Sequence, residues 1–70
     1  MMLRDIENWF TYHSPTPGQI PQYTEIRDAG KAFAAVVFKH CPDSADRTAA
    51  IRKIREAVMT ANAAIACGGE

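Results

Sequence analysis

The sequence predicts an all-α protein: a short N-terminal helix followed by a long antiparallel helical hairpin that assembles as a homo-oligomer. Three observations carry this. Ile51, Ile54, Val58, Ala61 and Ile65 recur at spacings of 3, 4, 3 and 4, the mark of a helix facing one partner. Upstream, Tyr23, Ile26, Gly30, Phe33 and Val37 repeat the same spacing, and only the short segment CPDSAD separates the two stretches. Helices joined so briefly pack as antiparallel neighbours. The last helix also carries a second stripe, Met59, Asn62, Ala63 and Ala66, rotated well away from the first. A helix that is apolar on two sides is buried on two sides. A chain of 70 residues has one other long helix to cover them, so copies of the chain are expected to do the rest.

Element by element, residues from about 2 to 10 read as a short helix with Leu3, Ile6, Trp9 and Phe10 on one side. This turn is expected to fold back over the hairpin or to reach a neighbouring chain. A Pro-rich loop, about 11–20, follows, its X-Pro steps keeping the backbone extended and Tyr12 and Ile20 anchoring it. Pro21 suits a first helical turn, where its missing N–H costs nothing, so the second helix is expected over about 21–40, ending before Pro42. Asp43 or Ser44 then caps the last helix, about 44–66, and Asp46 lies in its positive first turn. Gly68-Gly69 is a suitable left-handed terminator. Residues 1–70 form one domain without internal repeats.

At this size a single core is marginal, and twelve of the apolar residues are alanines that bury little area each. Disulfides do not supply the deficit. Cys41 and Cys67 fall at opposite ends of the hairpin, about 30 Å apart at 1.5 Å per residue, whereas a bridge needs Cα atoms within about 7 Å. Eight basic and eight acidic residues cancel, which argues against polymeric nucleic acid as a partner but leaves room for a small anionic ligand. No apolar run reaches membrane-spanning length, and Asp5 and Glu7 interrupt any secretory leader. The expectation is a cytoplasmic protein with no membrane association.

Few residues suggest chemistry. Tyr12 and His13 stand side by side in the proline-braced loop, where a rigid aromatic ring can stack on a base. On composition alone, packing of Tyr12 on the hairpin with a solvated His13 is the favoured reading. Arg27 and Lys31 lie one turn apart on one helical face and would suit a phosphodiester, against the default of a solvated face. Gly30 beside them costs about 1 kcal/mol relative to Ala inside a helix, so some close approach requires it. Arg47, Arg52, Lys53 and Arg55 read mostly as a solvated cluster, with Arg52 and Glu56 spaced to pair. Asn62 needs a hydrogen-bond partner, in a copy of itself or in backbone, and would set register. Adjacent His40 and Cys41 diverge by about 100° on a helix and cannot act as base and nucleophile. Metal-ligand spacing and a phosphate-binding glycine loop are both missing. No catalytic residue, metal site or cofactor is expected, and the chain does not read as an enzyme.

Three segments carry a resemblance: FTYHSP (Phe10–Pro15), YTEIRDAGKAFA (Tyr23–Ala34) and IREAVMTANAAIA (Ile54–Ala66). Over about residues 8–67 the chain resembles the phage family of small hairpin domains shared by the anti-CBASS cyclic-nucleotide sponge and the Thoeris anti-defence sponge. That family often shows an aromatic residue in place of Thr60. The resemblance implies a non-catalytic protein that binds cyclic oligonucleotides made by bacterial defence synthases, and so keeps effectors from being triggered in an infected host cell. It implies hexamers, built as trimers of dimers, with cyclic dinucleotides such as 3′,3′-cGAMP between paired protomers. Cyclic trinucleotides would occupy separate pockets that cannot be placed on this sequence. By position it makes Tyr12 the stacking tyrosine, followed by His13, and Arg27 the basic ligand contact, an arginine where some members have lysine. Lys31 joins them from helix spacing alone.

Two other readings compete. One is an oligomerising helical-hairpin interaction module without a small-molecule ligand. The other, weaker on charge balance, is an accessory domain of a DNA-binding regulator.

Overall fold

The computed structural model describes residues 1–69, and among them every regular element is a helix. Helix α1 spans Leu3–Trp9, α2 Gln19–His40 and α3 Ala45–Ala66. The two long helices form the expected antiparallel hairpin.

Helix α2 begins two residues earlier than Pro21 suggests, because Thr16 and Gln19 form a reciprocal cap. The Gln19 N–H donates to Thr16 Oγ1 at 3.3 Å, and the Thr16 N–H donates to Gln19 Oε1 at 3.0 Å. The Thr16 carbonyl meanwhile accepts from the Gln19 and Ile20 amides. Pro17 follows the capping threonine directly, and Pro21 falls in the first turn, where no intrahelical donor is needed. Thr16→Ala should therefore lower stability by about 0.5–2 kcal/mol, read from the denaturation midpoint, while an unchanged midpoint would show the cap to be idle.

At the hairpin turn Ser44 is the N-cap of α3, its hydroxyl accepting from the Arg47 amide at 3.2 Å. Arg47 is not part of a solvated cluster. It pairs with Asp43 at 2.9 Å and lies 4.3 Å from the centre of the Phe38 ring, joining the end of α2 to the start of α3. The Arg52–Glu56 pair that spacing allows is not formed: among the described residues the ion pair is Arg47–Asp43. Helix α3 closes with Gly68 and Gly69 at φ 68° and 81°. Their amides return to the Ile65 and Ala64 carbonyls at 3.2 and 2.9 Å, a Schellman closure. Cys41 and Cys67 are both free.

The α3 stripe is as expected, with Ile51, Ile54, Val58, Ala61 and Ile65 all half-buried. On α2 one member differs. Tyr23, Ile26, Gly30 and Val37 face α3, but Ala34 takes the place of Phe33, whose side chain is left 59% exposed. A Cβ on Gly30 would run into Val58 Cγ2, so the helix axes approach closely here. The next position along that seam has room only for a small residue.

The N-terminal segment folds back on its own hairpin. Asn8 Nδ2 donates to the Cys67 carbonyl at 3.3 Å, Gln19 Nε2 donates to the Ile65 carbonyl at 3.4 Å, and Trp9 lies beside Ala63, Ala64 and Cys67. The Ile65 carbonyl, which also accepts from the Gly68 amide, and the Cys67 carbonyl thus tie the N-terminal segment to the end of α3. The second stripe of α3 is thereby divided: Asn62 and Ala66 are half-buried, while Met59 and Ala63 stay exposed.

No described residue is fully buried. The chain measures 43 × 28 × 15 Å, one layer of two helices, with a radius of gyration of 14.9 Å; a compact domain of this length would have about 11 Å. Its accessible surface is 5729 Å², against about 4300 Å² for a globular monomer of its mass.

Candidate ligand-binding site

Because the hairpin is a single layer, the seam between α2 and α3 opens on two faces of different chemistry. One is a groove of ≈ 270 Å³ lined by Arg27, Gly30, Lys31 and Ala34 of α2 and by Ile51, Ile54, Arg55, Val58 and Met59 of α3. Its floor is apolar, its rim carries three cations, and among the described residues no carboxylate lines it. Arg27, Lys31 and Arg55 form no ion pair with any described residue. Arg27 thus does not take Glu25 or Asp28 as a partner. A groove of this make-up accepts a flat, partly apolar group bearing negative charge.

The opposite face is a larger and almost wholly apolar groove, ≈ 580 Å³, with Ile26, Ala29, Phe33, Ala50 and Ala57 among its lining and Lys53 its one charged residue. Its small residues leave room for a bulky side chain from outside.

The structure brings Arg27 and Lys31 together, as their spacing predicts. It does not bring Tyr12 or His13 into the same groove. Tyr12 sits on the loop beyond α1 with 83% of its surface exposed, and its ring is not packed on the hairpin. His13 is half-buried, and its Nε2 donates to the Asn8 carbonyl at 2.7 Å, since a carbonyl can only accept. The same carbonyl is approached by Cys67 Sγ at 4.0 Å. His13 therefore ties the loop carrying Tyr12 to α1, while Asn8 ties α1 to the end of α3. The tyrosine is displayed on a braced support and aimed outward.

One feature of the site was not anticipated from sequence, and one that was expected is left open. Arg55 belongs to the groove of Arg27 and Lys31 rather than to a solvated cluster, which pairing the two helices in register would have shown. Asn62 Oδ1 is sealed from solvent and has no hydrogen-bond partner among the described residues. Backbone of the same chain does not satisfy it. Among the described residues no group of three or more His, Cys, Asp or Glu side chains could hold a metal ion, and no helix is long and apolar enough to cross a membrane.

No curated protein and no solved structure gives a match to the chain. The family model of the Acb2/Tad1 hairpin domain, in contrast, matches residues 2–66. The hairpin, the displayed loop tyrosine and the cation-rimmed groove accordingly belong to a member of the Acb2/Tad1 hairpin family, the anti-defence cyclic-nucleotide sponges.

Proposed function

We propose that this chain is a non-catalytic sponge that sequesters cyclic dinucleotides, 3′,3′-cGAMP among them, in the cytoplasm of an infected bacterium, and blunts CBASS-type signalling. Cyclic trinucleotides are a second ligand class, held in separate pockets. The observation that carries this reading is the groove of Arg27 and Lys31: unpaired cations over an apolar floor suit a phosphodiester and a base edge together.

The sponge works as a homo-oligomer, a hexamer assembled as a trimer of dimers on the pattern of its family. Support for assembly comes from the surface, which exceeds that of a globular monomer by about 1400 Å². A buried amide oxygen awaiting a donor at Asn62 points the same way. In a dimer, the loop of one protomer brings Tyr12 to the groove of its partner, and two-fold symmetry presents the pair twice to a two-fold ligand. His13 holds the loop, Tyr12 stacks on a base, and Arg27 and Lys31 meet phosphate.

Titration calorimetry with 3′,3′-cGAMP should show tight binding. Tyr12→Ala removes a stacking contact of about 1–3 kcal/mol, and Arg27→Ala a charge-assisted bond of about 1.5–3 kcal/mol. The tyrosine change should weaken binding about fivefold or more, and the arginine change about tenfold or more. Native mass spectrometry of the same samples should show the assembled species with nucleotide bound. Binding that survives both substitutions would remove the site. Absence of binding to any cyclic di- or trinucleotide would remove the function and leave the interaction module.

A further inference from the structure

We infer that Arg55 is a third ligand contact in the Arg27–Lys31 groove, supplied by α3, and that it engages a phosphodiester of the cyclic nucleotide from the wall opposite Arg27. The inference rests on the sponge reading above and adds to it a residue from the other helix.

Arg55 stands in a particular place. It lines the groove with Arg27 and Lys31, separated from them by the apolar floor of Ile54, Val58 and Met59. It also lines the neighbouring groove, ≈ 350 Å³, with Phe38, Thr48, Ile51 and Arg52. It therefore forms the shared wall between the two. Its guanidinium forms no ion pair with a described residue, unlike that of Arg47, which is held by Asp43 and Phe38. Among the described residues no carboxylate lines either groove.

Like charges on facing helices repel, and side chains of opposite sign along a seam are the stabilising choice. Here two cations on α2 and one on α3 line the same groove, whose other described lining residues are all apolar. An anion set between the walls removes that repulsion and uses both sides. In the two-fold site proposed above each groove meets one phosphodiester of the ring, and cations on both helices can approach it. A planar guanidinium also binds phosphate oxygens two at a time, which an ammonium does not.

The test is titration of the full-length chain with 3′,3′-cGAMP, comparing wild type, Arg55→Ala, Arg55→Lys and Arg52→Ala. Arg52 lies three residues earlier on α3, in the neighbouring groove and not in the Arg27 groove, so its loss changes net charge by the same unit without touching the latter. Arg55→Ala should weaken binding about tenfold or more, the scale of a charge-assisted hydrogen bond. Arg55→Lys should keep part of the affinity, and Arg52→Ala should stay within about twofold. Arg55 is an exposed side chain whose loss leaves the hairpin seam intact, and circular dichroism of each variant checks that. If wild type binds and Arg55→Ala binds equally well, Arg55 is a solvated residue and the inference fails while the sponge reading stands. Equal weakening by Arg52→Ala and Arg55→Ala would show a diffuse field rather than a contact and would also overturn it. A wild type that binds no cyclic nucleotide overturns both.

Discussion

Gly30→Ala should destabilise the protein, although the same change in an ordinary helix interior stabilises by about 1 kcal/mol. The sign inverts because of Val58. An added Cβ would overlap Val58 Cγ2, with Val58 Cβ and Ile54 Cγ2 close behind. Valine in a helix has one strongly preferred rotamer, so the methyl cannot swing aside cheaply. The helices must separate, and the seam around Ile26, Ala34, Ile54 and Ala61 loosens with them. Overpacking of this kind costs about 1–3 kcal/mol, which lowers the melting temperature by about 4–8 °C per kcal/mol in a domain this small. The decisive measurement is a double-mutant cycle. Gly30→Ala combined with Val58→Ala should recover stability relative to the sum of the single changes, with a coupling of about 1 kcal/mol or more. A Gly30→Ala variant more stable than wild type would mean the helices do not approach as closely as described.

Gly30 also shows how far the sequence alone reaches. A glycine in mid-helix is a conspicuous expense, and the close approach it implies is real. Residue spacing could not say which side of the seam Phe33 would take. A 3-4-3-4 stripe through Phe33 and a stripe through Ala34 differ by one residue, and only the intimacy of the helices at Gly30 decides for alanine. The start of α2 carries two competing signals in the sequence. Thr16-Pro17-Gly18-Gln19 has the threonine, the proline and the glutamine of a capping box, but Pro21 offers the same proline signal two residues into the helix. Arg47, Arg52, Lys53 and Arg55 look alike in sequence. Packing separates them into a turn lock, a neighbouring groove, the apolar face and the Arg27 groove, respectively. Tyr12 and Arg27 are the reverse case: family resemblance pairs them, yet one chain keeps them apart. The proposed division of the site between copies is a feature that contacts within one of them would not reveal.

Phe33→Asp should break the assembly. The side chain lies on the apolar face, beside Ala29, Val37, Ala50 and Ala57, and stays 59% exposed. The alanines of a second copy offer a shallow socket for that ring, and a two-fold arrangement would place each Phe33 on the other protomer's floor. A buried phenylalanine contributes about 1.5–3 kcal/mol through its area. An unpaired carboxylate in the same place carries a desolvation penalty of several kcal/mol more. Each two-fold seam contains the change twice, so the loss exceeds what a chain with no fully buried residue can absorb. Sedimentation should show Phe33→Asp as a smaller species than wild type at equal concentration, with weaker helical dichroism at high dilution. Nucleotide binding should fall with it, although Phe33 does not line the Arg27 groove, because in the proposed site only assembly brings the loop tyrosine of one protomer to the cations of another. Phe33→Leu, which keeps an apolar knob, should retain most of the assembly. If Phe33→Asp sediments as wild type does and still binds, this face is free in solution, and the covering of the hairpin must lie on the side of Met59 and Ala63.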